Sequence, residues 1–289
     1  MLAPRANILR YEDFIRAATL VHQVRSLRKV RVTGGEPLVR RNLPSFIGQL
    51  RRHFPDTELT MTTNGIALAD AAEALKRAGL SRVNVSLDAL DAKGFARSTG
   101  SPDPGPVIQG IDAALAAGLK PVKVNCVLQR SVNLDHLPDL VAFAAGRHCE
   151  IRFIELMAIG PARDLVAQEF VPMAEALDSL RRRWPDVEPL PGGENSRRFR
   201  VGTDRGSAVA GFITPVSHPF CESCDRLRLD AQGRLHACLR QGARVDLGPL
   251  LRSGADEHPG LRLVRDLVEG KAEPGSRWAE RTRMFSMGG

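Results

Sequence analysis

Aromatic residues are scarce in this chain: one Tyr, two Trp and eleven Phe, 5% of 289 residues. Single-strand nucleic-acid binders interleave cations with stacking platforms, so this scarcity argues against a nucleic-acid partner despite a net charge of +8. Lysine is scarce too. Only Lys29, Lys76, Lys93, Lys120, Lys123 and Lys271 stand among 41 basic residues, and the rest are arginines. Such a skew reads as codon bias and accounts for most of the charge. No apolar run approaches the ~18 residues of a membrane-spanning helix. The opening stretch MLAPRANILRYEDF has no apolar stretch of the secretory kind. Five cysteines make an odd number, which argues against a disulfide framework and for a reducing, cytoplasmic setting with thiols free to hold metal. Neither a G-x-G-x-x-G fingerprint nor a P-loop is present.

Hydrophobic residues make up 43%, enough to exclude wholesale disorder. Their pattern predicts a helix over 11–24, then strands at 29–33, 58–62, 82–87, 121–128 and 150–156. Helices are expected between them at 43–53, 70–78, 105–117 and 134–146. This alternation implies right-handed βαβ units and a parallel sheet, open or rolled into a barrel. It is lost after Trp184, where Pro185, Pro189, Pro191, Gly192 and Gly193 mark a loop. Short strands follow at 198–201, 208–213, 226–230 and 234–238, then helices at 247–252 and 260–269. The expected organisation is an α/β unit over 1–185 and a small module over 186–289.

The sharpest motif is Cys221-x2-Cys224-x13-Cys238. Three thiols so spaced can grip a zinc ion, with His218 or His236 as fourth ligand, or an iron–sulfur cubane with one iron open. Spacing alone favours zinc. Cys126 and Cys149 sit in apolar strand contexts and read as ordinary buried thiols. Beside the motif, Arg226 and Arg228 alternate with Leu227 and Leu229, so both guanidiniums share one strand face, suited to phosphate oxygens. At the end of the first strand stands Thr33-Gly34-Gly35-Glu36-Pro37, whose glycines let backbone approach a ligand and whose Glu36 could accept from an amino group. The other strands carry polar residues too: Thr62-Thr63-Asn64-Gly65, then Asn84, Ser86 and Asp88, then Lys123 and Asn125, then Arg152. Polar groups recurring on successive parallel strands converge at the C-terminal edge of the sheet.

The runs VRVTGGEPLVRR, TTNG, SRVNVSLDAL, KVN, IRFIELM, GFITPVSHPFCESCDRLRL and the terminal Gly288-Gly289 resemble the GTP 3′,8-cyclase family of molybdenum cofactor biosynthesis, within the radical S-adenosylmethionine (SAM) superfamily. The resemblance runs nearly end to end. It implies an incomplete (βα)6 TIM-like barrel, here without its first strand, and a C-terminal iron–sulfur and GTP-binding domain. It implies an enzyme in which a [4Fe-4S] cluster cleaves SAM, the radical abstracts hydrogen from C3′ of GTP, and C3′ attacks guanine C8. SAM contacts fall on Gly35, Ser86 and Met157. GTP contacts fall on Arg31, Thr62, Lys123, Arg226, Leu227 and Arg228. A second [4Fe-4S] cluster falls on Cys221, Cys224 and Cys238 in place of zinc, and Gly288 and Gly289 form a tail reaching the site. A homodimer and a downstream cyclic pyranopterin monophosphate synthase are the implied partners.

The family's C-x3-C-x2-C motif, which holds the SAM-cleaving cluster, does not occur in this sequence; the first cysteine is Cys126. The expectation is therefore one cluster on this chain, with the motif encoded upstream. The other reading is a non-catalytic relative binding one cluster and purine nucleotide. Retention of Lys123 and the arginines favours the first. Without a preceding partner, the strand at 29–33 is also expected to stand at a sheet edge.

Overall fold

The computed structural model describes residues 7–193, 196–221, 224–239, 245–253 and 258–272. It begins with α1 (Tyr11–Val24), after which strand and helix alternate. In order these are β1 (Lys29–Val32), α2 (Leu43–His53), β2 (Glu58–Thr63), α3 (Leu68–Arg77), β3 (Arg82–Ser86), α4 (Ala92–Thr99), α5 (Gly105–Ala116), β4 (Lys123–Leu128), α6 (Leu137–Gly146) and β5 (Glu150–Glu155). Then come α7 (Val166–Glu169), α8 (Met173–Arg183), β6 (Val187–Leu190), β7 (Arg197–Thr203) and β8 (Gly206–Ile213). The last elements are β9 (Arg228–Leu229), β10 (Arg234–His236), β11 (Val245–Asp246), α9 (Gly248–Ser253) and α10 (His258–Glu269).

The fold is α/β with a mostly parallel sheet of order β1-β2-β3-β4-β5-β8-β7-β6. The first five strands lie side by side in chain order and parallel, and β8 adds to β5 as a sixth parallel strand. A sheet built without reversal of order sends each right-handed crossover to the same face. That face is apolar. Val83, Val85, Val124, Cys126, Ile151, Phe153, Ala210 and Phe212 pack there against α2, α3, α5, α6 and α8. Alternation along each strand leaves the opposite face to the other parity.

The change of pattern after Trp184 is a change of connection within one sheet. β6, β7 and β8 are joined as antiparallel hairpins and extend the sheet of β1–β5. The expected boundary at 185/186 thus falls inside a continuous sheet. A second core lies elsewhere: Leu9, just ahead of α1, and Ala17, Leu20 and Val21 of α1 pack with Leu235, Val245, Leu247, Leu251, Val264 and Leu267. It sits beside a three-stranded sheet of order β11-β10-β9. No helix among the described residues is long and apolar enough to cross a membrane.

Tight packing needs small residues at one crossing. Gly110 of α5 lies so close to the turn after β2 that a Cβ would stand 2.4 Å from the Gly65 carbonyl oxygen. Gly65 itself has φ +80°, a left-handed value that glycine adopts without strain.

Candidate functional site

The polar face of the sheet is set by strand parity and register. Arg31 lies opposite Thr60, Thr60 opposite Arg82, Thr62 opposite Asn84, Asn84 opposite Lys123, Asn125 opposite Arg152, and Arg152 opposite Gly211. Paired residues of parallel strands point to the same side, so these side chains form one wall.

The lower part of that wall is charge-balanced. Glu58 receives Arg82 at 2.6 Å and Lys29 at 3.2 Å. Glu150 receives Lys123 at 2.5 Å and stands 4.0 Å from Arg198. The upper part is not. Among the described residues, Arg31 and Arg152 reach no carboxylate within ion-pair distance. Protein crowds the Arg31 guanidinium even though its outer surface meets water. Its pKa falls to about 10, first by desolvation, then by repulsion from Arg226, Arg152, Arg82 and Arg228. Arg152 is likewise lowered to about 10, first by desolvation, with Arg82, Arg226 and Arg198 adding repulsion against the pull of Glu150. Arg228 is lowered by desolvation and then by Arg226. These mutual effects place the Arg226–Arg228 segment against the polar face. At pKa values of about 10, Arg31 and Arg152 both stay charged near neutrality. The site is a cation cluster built to receive an anion.

The expected residues fall into this arrangement in different ways. Thr62 is oriented by the Asn84 amide, which donates to its hydroxyl at 3.2 Å. Lys123 has its pKa lowered, mainly by desolvation, with Glu150 opposing the change. Leu227 packs with Leu229 against the second core, which turns its two arginine neighbours the other way. Gly35, Ser86 and Met157 follow β1, end β3 and follow β5, so they lie along the C-terminal edge of the sheet. A Cβ on Gly34 or Gly35 would meet no protein atom within 4 Å. The backbone at this loop is open on its outer side. Gly288 and Gly289 lie outside the described residues.

Glu36 departs from its expected role as acceptor for a ligand amino group. Its carboxylate already accepts from the Leu38 N–H at 3.0 Å, the Thr63 hydroxyl at 2.8 Å and the Asn64 N–H at 2.6 Å. It ties the glycine loop after β1 to the turn after β2. The buried Glu155 does the same further along, accepting from the Val216 and Ser217 amides at 3.1 and 2.9 Å and from the Ser217 hydroxyl. Asp88, past the end of β3, accepts from the Val127 N–H at 2.8 Å, yet burial lifts its pKa to about 6.

Sequence reasoning missed Glu58, Arg82 and Glu150 as members of the wall. Their signal was present: each shares strand parity with a residue that was singled out. Asn125 was noticed, and its side-chain oxygen is buried without a hydrogen-bond partner, a polar atom left facing the site.

Cys224 and Cys238 both act on the Arg228 guanidinium and on Lys271, so the two thiols share one neighbourhood. Cys221 precedes them by one turn, its carbonyl accepting from the Cys224 N–H at 3.2 Å. Among the described residues no three Cys, His, Asp or Glu side chains gather tightly enough for a single metal ion. His236 turns instead to Asp230, 3.4 Å away. A cubane binds its cysteines through separate irons and so takes thiols set further apart; the all-sulfur donor set fits that group. Cys126 is fully buried, and its thiol is pushed well up by desolvation. Cys149 is buried too and pushed up to about 11 for the same reason. Both are inert.

Comparison with known proteins covers both parts of the chain. The Radical SAM superfamily family matches residues 2–144 and the Molybdenum Cofactor Synthesis C family matches residues 149–276. A GTP 3′,8-cyclase of Pelotomaculum thermopropionicum is 37% identical over 99% of this chain and 89% of its own length. A GTP 3′,8-cyclase of Paenarthrobacter nicotinovorans is 42% identical over 84% of this chain and 71% of its own. Molybdenum cofactor biosynthesis protein 1 of Bos taurus is 38% identical over 91% of this chain and 41% of its own.

Proposed function

We infer the function from one premise: the chain belongs to the GTP 3′,8-cyclase family, radical SAM enzymes of molybdenum cofactor biosynthesis. On that premise the substrate is GTP and the product (8S)-3′,8-cyclo-7,8-dihydroguanosine 5′-triphosphate. The observation that carries the reading is the positive charge on the polar face of the sheet: among the described residues Arg31 and Arg152 reach no carboxylate within ion-pair distance, and Arg226 crowds both. A triphosphate supplies the missing countercharge, and guanidinium forks match its oxygens in pairs.

The chain's own residues have separable tasks. Arg31, Lys123, Arg226 and Arg228 bind and orient the triphosphate. Glu150 keeps the Lys123 ammonium in place. Thr62, turned by Asn84, offers its hydroxyl to the substrate. The open backbone at Gly35, with Ser86 and Met157, holds SAM along the sheet edge, while Glu36 fixes the glycine loop. Cys221, Cys224 and Cys238 would hold a [4Fe-4S] cluster, which would supply a Lewis-acidic iron for the guanine. When bound, SAM at a reduced iron–sulfur cluster supplies the radical that removes hydrogen from C3′. No C-x3-C-x2-C spacing occurs in the sequence, and the residues named here form the SAM- and GTP-facing walls. A homodimer, a tail reaching the site through Gly288 and Gly289, and a cyclic pyranopterin monophosphate synthase consuming the product complete the proposal.

Calorimetric titration of the anaerobically reconstituted chain tests this. Affinity should fall stepwise from GTP through GDP to guanosine, and ATP should bind more weakly than GTP. Equal affinities for GTP and guanosine would overturn the reading.

A further inference from the structure

Lys271 stands outside every role assigned so far. It is one of six lysines in a chain that otherwise uses arginine. It lies in a short 3-10 turn, Gly270–Ala272, directly after α10. Its Nζ donates to the Arg226 carbonyl oxygen and lies 3.8 Å from the Cys224 Sγ. One ammonium thus touches both working parts of the C-terminal region: the backbone of the anion-binding arginines and a thiol of the three-cysteine set. α10 in turn is fixed by the second core through Val264 and Leu267, both buried. The ammonium is therefore delivered from a rigid helix end, not from a loose tail.

We propose that Lys271 is a positioning residue for the C-terminal iron–sulfur cluster, donating an N–H···S hydrogen bond to the Cys224 thiolate while its bond to the Arg226 carbonyl couples cluster to substrate arm. The inference rests on the reading that Cys221, Cys224 and Cys238 hold a cluster. Hydrogen bonds and positive charge at a ligating sulfur favour the reduced cluster, which carries one more negative charge, and so raise its reduction potential. The bond to the Arg226 carbonyl fixes where the Arg226 and Arg228 side chains begin. Arginine cannot take over both tasks in one geometry, because its planar fork replaces a compact ammonium with three rotatable donors.

The test uses the full chain, reconstituted anaerobically, with Lys271→Met and Lys271→Arg beside wild type. Iron and sulfide are counted first. Potentiometric titration followed by electron paramagnetic resonance then gives the cluster potential, and calorimetry gives GTP affinity. Lys271→Met should load the same iron as wild type but shift the reduction equilibrium about tenfold toward the oxidised form, about 59 mV for one electron. It should also weaken GTP binding several-fold. Lys271→Arg should recover part of the potential, because it keeps the charge, but less of the GTP affinity. Unchanged potential in Lys271→Met with full iron loading overturns the inference and leaves the cluster reading intact. A wild-type chain that takes up no iron and sulfide overturns both. Loss of fold in Lys271→Met is read by circular dichroism. If only that variant unfolds, an unchanged potential in folded Lys271→Gln overturns the inference, and a lowered one sustains it.

Discussion

Arg152 shows how one residue's surroundings declare its use. A guanidinium whose pKa is driven down to about 10 by desolvation and by other cations is held there at a cost. On the proposed function, an anion bound there would offset that cost. Arg152→Ala should therefore leave the fold as stable as wild type or slightly more so, while weakening GTP binding by about 1.5–3 kcal/mol, the loss expected for a charged hydrogen bond. Calorimetry and thermal melting separate the two effects. Asp88 is the opposite case, an acid kept partly neutral by burial. Its pKa rises from 3.8 to about 6, so between those values the folded chain holds its proton more tightly than the unfolded one. Its stabilising effect is therefore complete below pH ~4 and is lost as the pH rises through 6. Asp88→Asn keeps an oxygen for the Val127 N–H and removes the ionisation. It should gain stability at pH 7, by no more than about 3 kcal/mol at ~1.4 kcal/mol per pKa unit, and gain none at pH 4. Urea unfolding at the two pH values measures the difference.

Among the elements, the parallel strands and their crossovers were legible because hydrophobic parity and glycine punctuation agree. Helices α1 and α2 begin and end where the periodicity places them, and β5 misses its expected span by one residue. α4 was missed because its sequence AKGFARST holds a glycine and two hydroxyl-bearing residues, Ser98 and Thr99; an Asp91 cap at 2.8 Å from the Gly94 N–H and a left-handed Gly100 make it a helix. β9 is only two residues long, because a strand that packs Leu227 and Leu229 on a small core has few partners to pair with. The cationic wall was half visible: Lys123 and Arg152 could be picked out, but the carboxylates Glu58 and Glu150 needed the register. The crossing of α5 over the β2 turn is a sharper case of structure beyond pattern. Gly110→Ala should cost more than the usual helix benefit of alanine can return, since the new Cβ would collide with the Gly65 carbonyl. A net loss of about 1–3 kcal/mol, the range for overpacking, is expected in urea unfolding.

For the molecule as a whole, the sheet formed by the described residues has two guarded edges. β1 presents Lys29 and Arg31 alternating with valines, and β6 carries Glu188 and Pro189. Charge and proline on edge strands discourage pairing with another chain. Neutralising β1 by Lys29→Gln with Arg31→Gln should raise concentration-dependent oligomer formation, read by light scattering. The second core is the other whole-molecule feature. Leu20 is fully buried there. Leu20→Ala should destabilise the chain by about 2–5 kcal/mol. It should also reduce iron loading on the distant cysteines, since α1 is a wall of the module that carries them.

That second core has a further effect in time. Leu20 and Val21 leave the ribosome about 240 residues ahead of Val264 and Leu267, which share their core. At ~5–20 residues per second, the apolar side of α1 waits through tens of seconds of synthesis for its partners. Over the same interval the strands from β1 to β5 find each other in order, each close to its predecessor. Birth of this protein is therefore staged: the parallel sheet can assemble as it emerges, whereas the apolar side of α1 stays uncovered until residues 264–267 are free to pack on it. A nascent chain stalled at residue 220 should bind chaperones through residues 11–24, and release them once residues 264–267 have cleared the ribosome.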